Sequence, residues 1–163
     1  MTIVSCRCGK VQLEVTGKPF MVAACYCDDC QAGWRRIEAL ENAAPVLDDR
    51  GGTEKIYFRD DRVRIVQGDE FLQQFKLKPE SPMRRVVANC CNTAMYDSRE
   101  DYRFTSVIRA RFGPDAPPVE ACYFTRYSPE QPFISHDVPS YPGAPLSVKL
   151  KMFRAHLAAT LHL

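Results

Sequence analysis

The amino-acid sequence predicts a mainly β domain finished by one helix, and three observations carry that reading. Short apolar or alternating runs of strand length recur between glycine and proline punctuation up to residue 112, and period-two patterning marks half-buried strands. Helical spacing of apolar residues is confined to a short stretch after residue 28 and to residues 148–161. Seven of the eight cysteines fall into three tight groups beside predicted strands, where they can clamp the fold through a shared ion.

Taken in order, Val11, Leu13 and Val15 alternate with Gln12, Glu14 and Thr16, the pattern of a half-buried strand. Residues 20–26 form an apolar run of strand length that delivers the chain into the second cysteine group. Asp28 or Asp29 is placed to cap a short helix reaching residues 36–40, with Ile37 and Leu40 facing inward. Gly51-Gly52-Thr53 reads as a turn rather than an anion-binding loop. Strands are predicted at 54–58, 63–67, 71–77 and 83–88, punctuated by Gly68-Asp69 and by Pro79 and Pro82, and another at 102–112. Prolines then dominate 114–145, predicting an arm that wraps over the surface. Val148, Met152, Phe153, Leu157 and Leu161 predict an amphipathic terminal helix. The chain thus divides into a β domain, 1–113, and an arm with its helix, 114–163, packed on the same domain.

At 163 residues and 45% hydrophobic content, the chain suits one domain with a full core. A net charge of +2 gives no electrostatic pull toward nucleic acid or a membrane surface. No stretch reaches membrane-spanning length, and Met1 to Cys6 lacks the pattern of an export signal. Eight cysteines without such a signal predict metal ligation in a reducing cytoplasm, since the CxC and CxxC pairs are poorly spaced for ordinary disulfides.

Cys25, Cys27 and Cys30 make the sharpest motif, CxCxxC, and thiolates at this spacing can turn toward one Zn²⁺ about 2.3 Å away. Cys6 and Cys8 need partners, and Cys90-Cys91 is the remaining pair. Neighbouring side chains in extended backbone point to opposite faces, so both reach one metal only through a turn, which Asn92-Thr93 favours. Either all four close one site, or one of the adjacent pair serves it, with Cys91 preferred. Cys122 reads as a buried free thiol. The composition therefore predicts one or two Zn²⁺ per chain. A metal held by only three thiolates keeps a position for water or substrate, where chemistry becomes available.

CRCGKVQLEV, CYCDDCQ and CCNTAMY together resemble the signature of the glutathione-dependent formaldehyde-activating enzyme-like (GFA-like, CENP-V-type) family: CxCG, then CxCxxC, then CxxCGT. The likeness covers about the first 110 residues. It implies an Mss4-like β-tent of antiparallel sheets joined by zinc. It assigns Cys6 and Cys8 to a structural zinc, and Cys25, Cys27 and Cys30 to a catalytic zinc with an open position. The implied activity is that of a carbon–sulfur lyase acting on a small thiol or thiol–aldehyde adduct, with glutathione as the family's thiol. The third motif departs from the pattern: Ala88 stands where the first cysteine of CxxC belongs, Cys90 is the substitute, and Asn92 replaces the glycine. A non-catalytic, zinc-stabilised binding module of the same fold is the alternative the altered motif leaves open.

A ligand such as glutathione carries two carboxylates, for which Arg35, Arg36, Lys55, Arg84 and Arg85 are candidate partners by proximity to the motifs. Tyr26 and Trp34 flank the second thiol group as pocket wall or core. His136 in the proline-rich arm is the one histidine placed to approach the open metal; His156 and His162 fall in the terminal helix.

Overall fold

The structure is a computed structural model and describes residues 1–133 and 137–161. The chain begins with β1 (Thr2–Ser5), β2 (Gln12–Val15) and β3 (Met21–Cys25), then enters α1 (Asp28–Glu38). Six strands follow: β4 (Thr53–Arg59), β5 (Val63–Gln67), β6 (Leu72–Phe75), β7 (Met83–Ala88), β8 (Thr93–Arg99) and β9 (Phe104–Ile108). The proline-rich segment contributes β10 (Ala121–Tyr123) and β11 (Ser140–Tyr141), and α2 (Leu146–Thr160) ends the described chain.

Two sheets result. β1, β2 and β5 form a three-stranded sheet; the other eight lie in the order β11-β10-β3-β4-β9-β8-β7-β6. Pairing is antiparallel except where β10 joins β3 and β11 in parallel. The large sheet is buried on both faces. On one, Val22, Ile56, Phe58, Met95 and Val107 pack against Val4, Leu13 and Val15 of the small sheet. On the other, Met21, Ala23, Tyr57 and Phe104 meet Cys30, Trp34 and Ile37 of α1 and Val148 of α2. β4 shows the division residue by residue: Ile56 and Phe58 face the small sheet, whereas Lys55 and Tyr57 face the helices.

The predicted mainly β fold is present, and strands occur at six of the predicted runs up to residue 88. β1 and β8 are additions that the sequence reading lacks. The strand predicted over 102–112 stops at Ile108, where the chain enters short 3₁₀ turns within Arg109–Asp115 that are broken by a kink at Gly113. Arg109 there donates to the carbonyls of Ala116 and Pro117 and pairs with Glu54. The proline-rich arm is more than a surface wrap, since Cys122 and Tyr123 lie in register with Ala24 and Cys25 of β3.

Both helices differ in detail from expectation. Cys27, not an aspartate, is the N-cap of α1 and makes no side-chain cap bond. Asp28 and Asp29 instead occupy the first turn, with Arg35 and Arg36 in the last, both favourable to the helix dipole. In α2 the inward face is made of Val148, Met152, Ala155 and Ala159. The larger Phe153, Leu157 and Leu161, predicted to face the core, are turned to solvent at 51%, 40% and 60% exposure. Small alanines let the helix sit close to β4 and β9, which it contacts. Phe153→Ser is therefore expected to change unfolding free energy by less than about 0.5 kcal/mol. Val148→Ser is expected to cost more than about 2 kcal/mol, both read from denaturant titration.

Candidate metal centres

Cys6 and Cys8 leave β1 in a tight turn whose Gly9 adopts a φ of 79°. Cys90 and Cys91 sit in the turn between β7 and β8, where Asn92 takes a left-handed φ of 49°. That turn is what lets two adjacent cysteines face one point. The Sγ atoms lie 3.6 Å (Cys6 to Cys8), 3.9 Å (Cys6 to Cys90), 3.4 Å (Cys8 to Cys90) and 3.9 Å (Cys90 to Cys91) apart. A tetrahedron with zinc–sulfur arms of about 2.3 Å has edges of about 3.8 Å. The four thiols thus have the spacing a closed tetrahedral zinc needs, and both members of the adjacent pair belong to the cluster. The Val11 amide donates to Cys6 Sγ at 3.3 Å, and Cys91 Sγ lies 3.0 Å from Thr93 Oγ1. Burial opposes ionisation of Cys91, but bonds from Thr93, the Cys8 backbone and its thiol neighbours draw it down to about 6. Burial and the same neighbours push Cys90 up.

The second cluster lies on the other face of the large sheet. Cys25 ends β3, Cys27 caps α1 and Cys30 follows one turn later, with Sγ separations of 3.4 Å (Cys25 to Cys27) and 3.6 Å (Cys25 to Cys30). These three also suit a tetrahedral zinc, leaving one vertex without a cysteine among the described residues. Bonds from Cys25 and Cys27 hold Cys30 well below the ordinary thiol range against the effect of burial, helped by the charges of Lys55 and Arg85. Bonding to Cys27 and Cys30, together with burial, pushes Cys25 up.

Lys55 sits directly beside this cluster. Its Nζ is 3.3 Å from Cys30 Sγ and forms an ion pair with Asp97, both side chains being at most 3% exposed. Burial alone would lower the lysine pKa, but Asp97 and Cys30 raise it well above the ordinary value, so the group stays an ammonium. Around the couple opens a cavity of about 710 Å³, floored by the three cysteines and walled by Lys55, Tyr57, Asp97 and Ser106. Phe124 of the arm and Val148 and Met152 of α2 complete it from the far side. Its size falls in the range of roughly 300–1,000 Å³ common to small-molecule sites.

Of the candidate cations, the structure brings Lys55 and Arg85 to this cavity. Arg85 is buried, donates to the Asp29 carbonyl and lies 5.8 Å from the Trp34 ring. Gly33 permits that approach, because a Cβ there would fall 2.2 Å from the guanidinium carbon. The other three are engaged elsewhere: Arg35 with Gln31, Arg36 with the Leu77 carbonyl and Arg84 with Glu100. Trp34 is core, and Tyr26 donates to Asp48 at 2.9 Å. Cys122 is buried beside Ala24 and Tyr26. His156 accepts from the Arg103 amide, and His136 and His162 lie outside the described residues. Asp97, Ser106 and Tyr123 also line the cavity and are absent from the residues singled out in the sequence; only Asp97 offered a signal, a charged residue at an inward strand position.

A model of a family of unknown function, DUF6151, matches residues 1–107, well over half of the chain. The chain belongs to this family. The matched stretch contains both thiol clusters, Lys55, Asp97 and Ser106, whereas the arm and α2 lie beyond it. Among solved structures, a crystal structure of a Rhodobacter sphaeroides protein, a Northeast Structural Genomics target, is similar with a TM-score of 0.51 and 20% identity. The similarity covers 71% of this chain and 92% of that one, and it speaks to the fold alone. No curated protein matches. Among the described residues, no helix is long and apolar enough to cross a membrane.

The two clusters differ in what they tie together. Cys6 and Cys90 are 84 residues apart and lie in turns beside strands of different sheets, whereas Cys25 to Cys30 are local. Metal binding energy at a site assembled by folding is folding energy. Cys6→Ala is expected to lower the melting temperature of zinc-loaded protein by roughly 10 °C or more, and Cys27→Ala by less than half as much.

Proposed function

We propose that the chain holds two Zn²⁺ ions with different tasks: a structural one at Cys6, Cys8, Cys90 and Cys91, and a reactive one at Cys25, Cys27 and Cys30. The second site would bind a small thiol and act on its adduct with an aldehyde as a carbon–sulfur lyase. The observation that carries this reading is the three-thiol cluster at the floor of a small-molecule cavity. When bound, zinc supplies a Lewis acid at the vertex free of cysteine, and a metal already carrying three thiolates suits thiol exchange better than activation of water.

The chain's own residues fit that task. Lys55, held as an ammonium by Asp97, has no lone pair to occupy the fourth position and offers a positive charge beside the thiolates. The cavity's apolar side, including Phe104, Phe124 and Met152, gives a leaving sulfur a less polar wall than bulk water. Likeness of the cysteine motifs to those of the GFA-like family points to the same class of chemistry and makes glutathione the first thiol to try. The test uses purified, zinc-loaded protein with glutathione and with its formaldehyde adduct. Expected are a glutathione-dependent rise in melting temperature and accelerated release of formaldehyde, both lost in Cys27→Ser. Undiminished activity in Cys27→Ser would remove the three-thiol site from the reaction.

A further inference from the structure

The helix-side face of the large sheet carries one lateral row that is polar where a core row is expected to be apolar. Arg85 of β7 pairs with Asp97 of β8, Asp97 with Ser106 of β9, and Ser106 with Tyr57 of β4. Lys55 lies two residues along β4 from Tyr57 and so shares its face. All five side chains belong to residues no more than 2% exposed. Exchanging a buried ion pair for apolar side chains of similar volume is often neutral or stabilising, so folding alone gives little reason to keep Lys55 and Asp97 here.

Three buried atoms of this row have no hydrogen-bond partner, the donor Arg85 Nε and, beside it across the strands, Asp97 Oδ1 and Ser106 Oγ. Asp97 and Ser106 both line the cavity above the three-thiol cluster, and they are cross-strand neighbours. Buried polar atoms are normally satisfied, so two unpaired oxygens on neighbouring residues of one cavity wall call for a partner that the protein itself does not supply. The other carboxylate oxygen, Oδ2, is bound by Lys55, whose Nζ also touches Cys30 Sγ at 3.3 Å. The ammonium thus stands between two places that can carry negative charge.

Resting on the thiol–aldehyde reading above, we propose that Asp97 is the general base of the pocket, Ser106 the anchor of the substrate oxygen, and Lys55 the fixed counter-charge. The substrate class is then a thiol adduct whose sulfur-bearing carbon carries a hydroxyl. That hydroxyl donates to Asp97 Oδ1 and is steadied by Ser106 Oγ. Its proton moves to Asp97, the O–H electron pair becomes the second bond of a carbonyl, and the carbon–sulfur bond breaks with its pair staying on sulfur. The Asp97 proton then passes to the departing thiolate. The products are an aldehyde and a free thiol, the carboxylate is restored, and nothing is oxidised or reduced. As negative charge moves from Asp97 to sulfur it stays beside the same ammonium, so no charge is stranded in the buried wall.

The test compares wild type with Asp97→Asn, Ser106→Ala and the charge-neutral double substitution Lys55→Met with Asp97→Leu, which keeps an apolar pair if Asp97→Asn misfolds. Formaldehyde release from the glutathione adduct is one readout. The visible spectrum of cobalt-substituted protein titrated with glutathione is the other, and it reports thiol binding without turnover. Loss of about 100-fold or more in kcat is expected for Asp97→Asn and the double variant, and about tenfold for Ser106→Ala, with the cobalt response to glutathione retained. Wild-type turnover in Ser106→Ala together with the double variant overturns the assignment while leaving thiol binding intact. A wild-type protein whose cobalt spectrum ignores glutathione and which releases no formaldehyde overturns the thiol reading itself, and the assignment with it.

Discussion

Convergence of four sulfurs from two sheets is the constraint on which the rest of the molecule depends. Cys6 and Cys8 extend from the small sheet, Cys90 and Cys91 from a turn of the large one, and their Sγ atoms meet at tetrahedral-edge spacing. That meeting fixes where β2 lies relative to β7 and β8, and so how Val4, Leu13 and Val15 seat on Ile56, Met95 and Val107. With one face of the large sheet sealed in this way, the opposite face is left to shape a cavity under α1 and α2. A close approach of Cys8 and Cys90 thiolates at 3.4 Å with no positive charge between them would be repulsive; a divalent cation turns the same geometry into an attraction.

The sheet separates two kinds of sulfur chemistry. On the small-sheet side, four thiols have the spacing of a closed tetrahedral shell. On the helix side, three thiols sit with a charged couple, three unsatisfied polar atoms and a partly open cavity. Backbone register, rather than loop flexibility, sets the second arrangement: Arg85, Asp97, Ser106 and Tyr57 occupy one row across four strands. Groups mounted on paired strands hold their positions well, which suits preorganised electrostatics. The arm and α2 complete the pocket from beyond the region shared with the family. The thiol end of the cavity therefore lies within the stretch matched to the family, whereas the lining from Phe124, Val148 and Met152 lies outside it.

Much of the fold was legible where alternation was clean. Val11, Leu13 and Val15 announced β2, and the apolar run before Cys25 announced β3. β8 escaped notice because Asp97, an inward residue, interrupts the apolar alternation that marks a strand, and it does so at the pocket wall. The two thiol clusters were legible from spacing. The share taken by Cys90 and Cys91 was not, since it hangs on the left-handed conformation of Asn92. Among five candidate cations, chain proximity could not separate Lys55 and Arg85, whose strand positions point inward, from Arg35, Arg36 and Arg84. In α2 two alanines complete the inward face of Val148 and Met152, so a search for large apolar residues passed over them and also took in Phe153, Leu157 and Leu161 on the exposed side. Tertiary context decided each of these cases.

The central claim is that the two thiol clusters hold zinc in unequal shells, and X-ray absorption at the zinc edge on stoichiometrically loaded protein tests it most directly. The account predicts two zinc ions per chain and an average shell between three and four sulfurs, with a light-atom contribution that disappears when a thiol ligand is added. A single zinc per chain with a pure four-sulfur shell, unchanged by thiol, would contradict it.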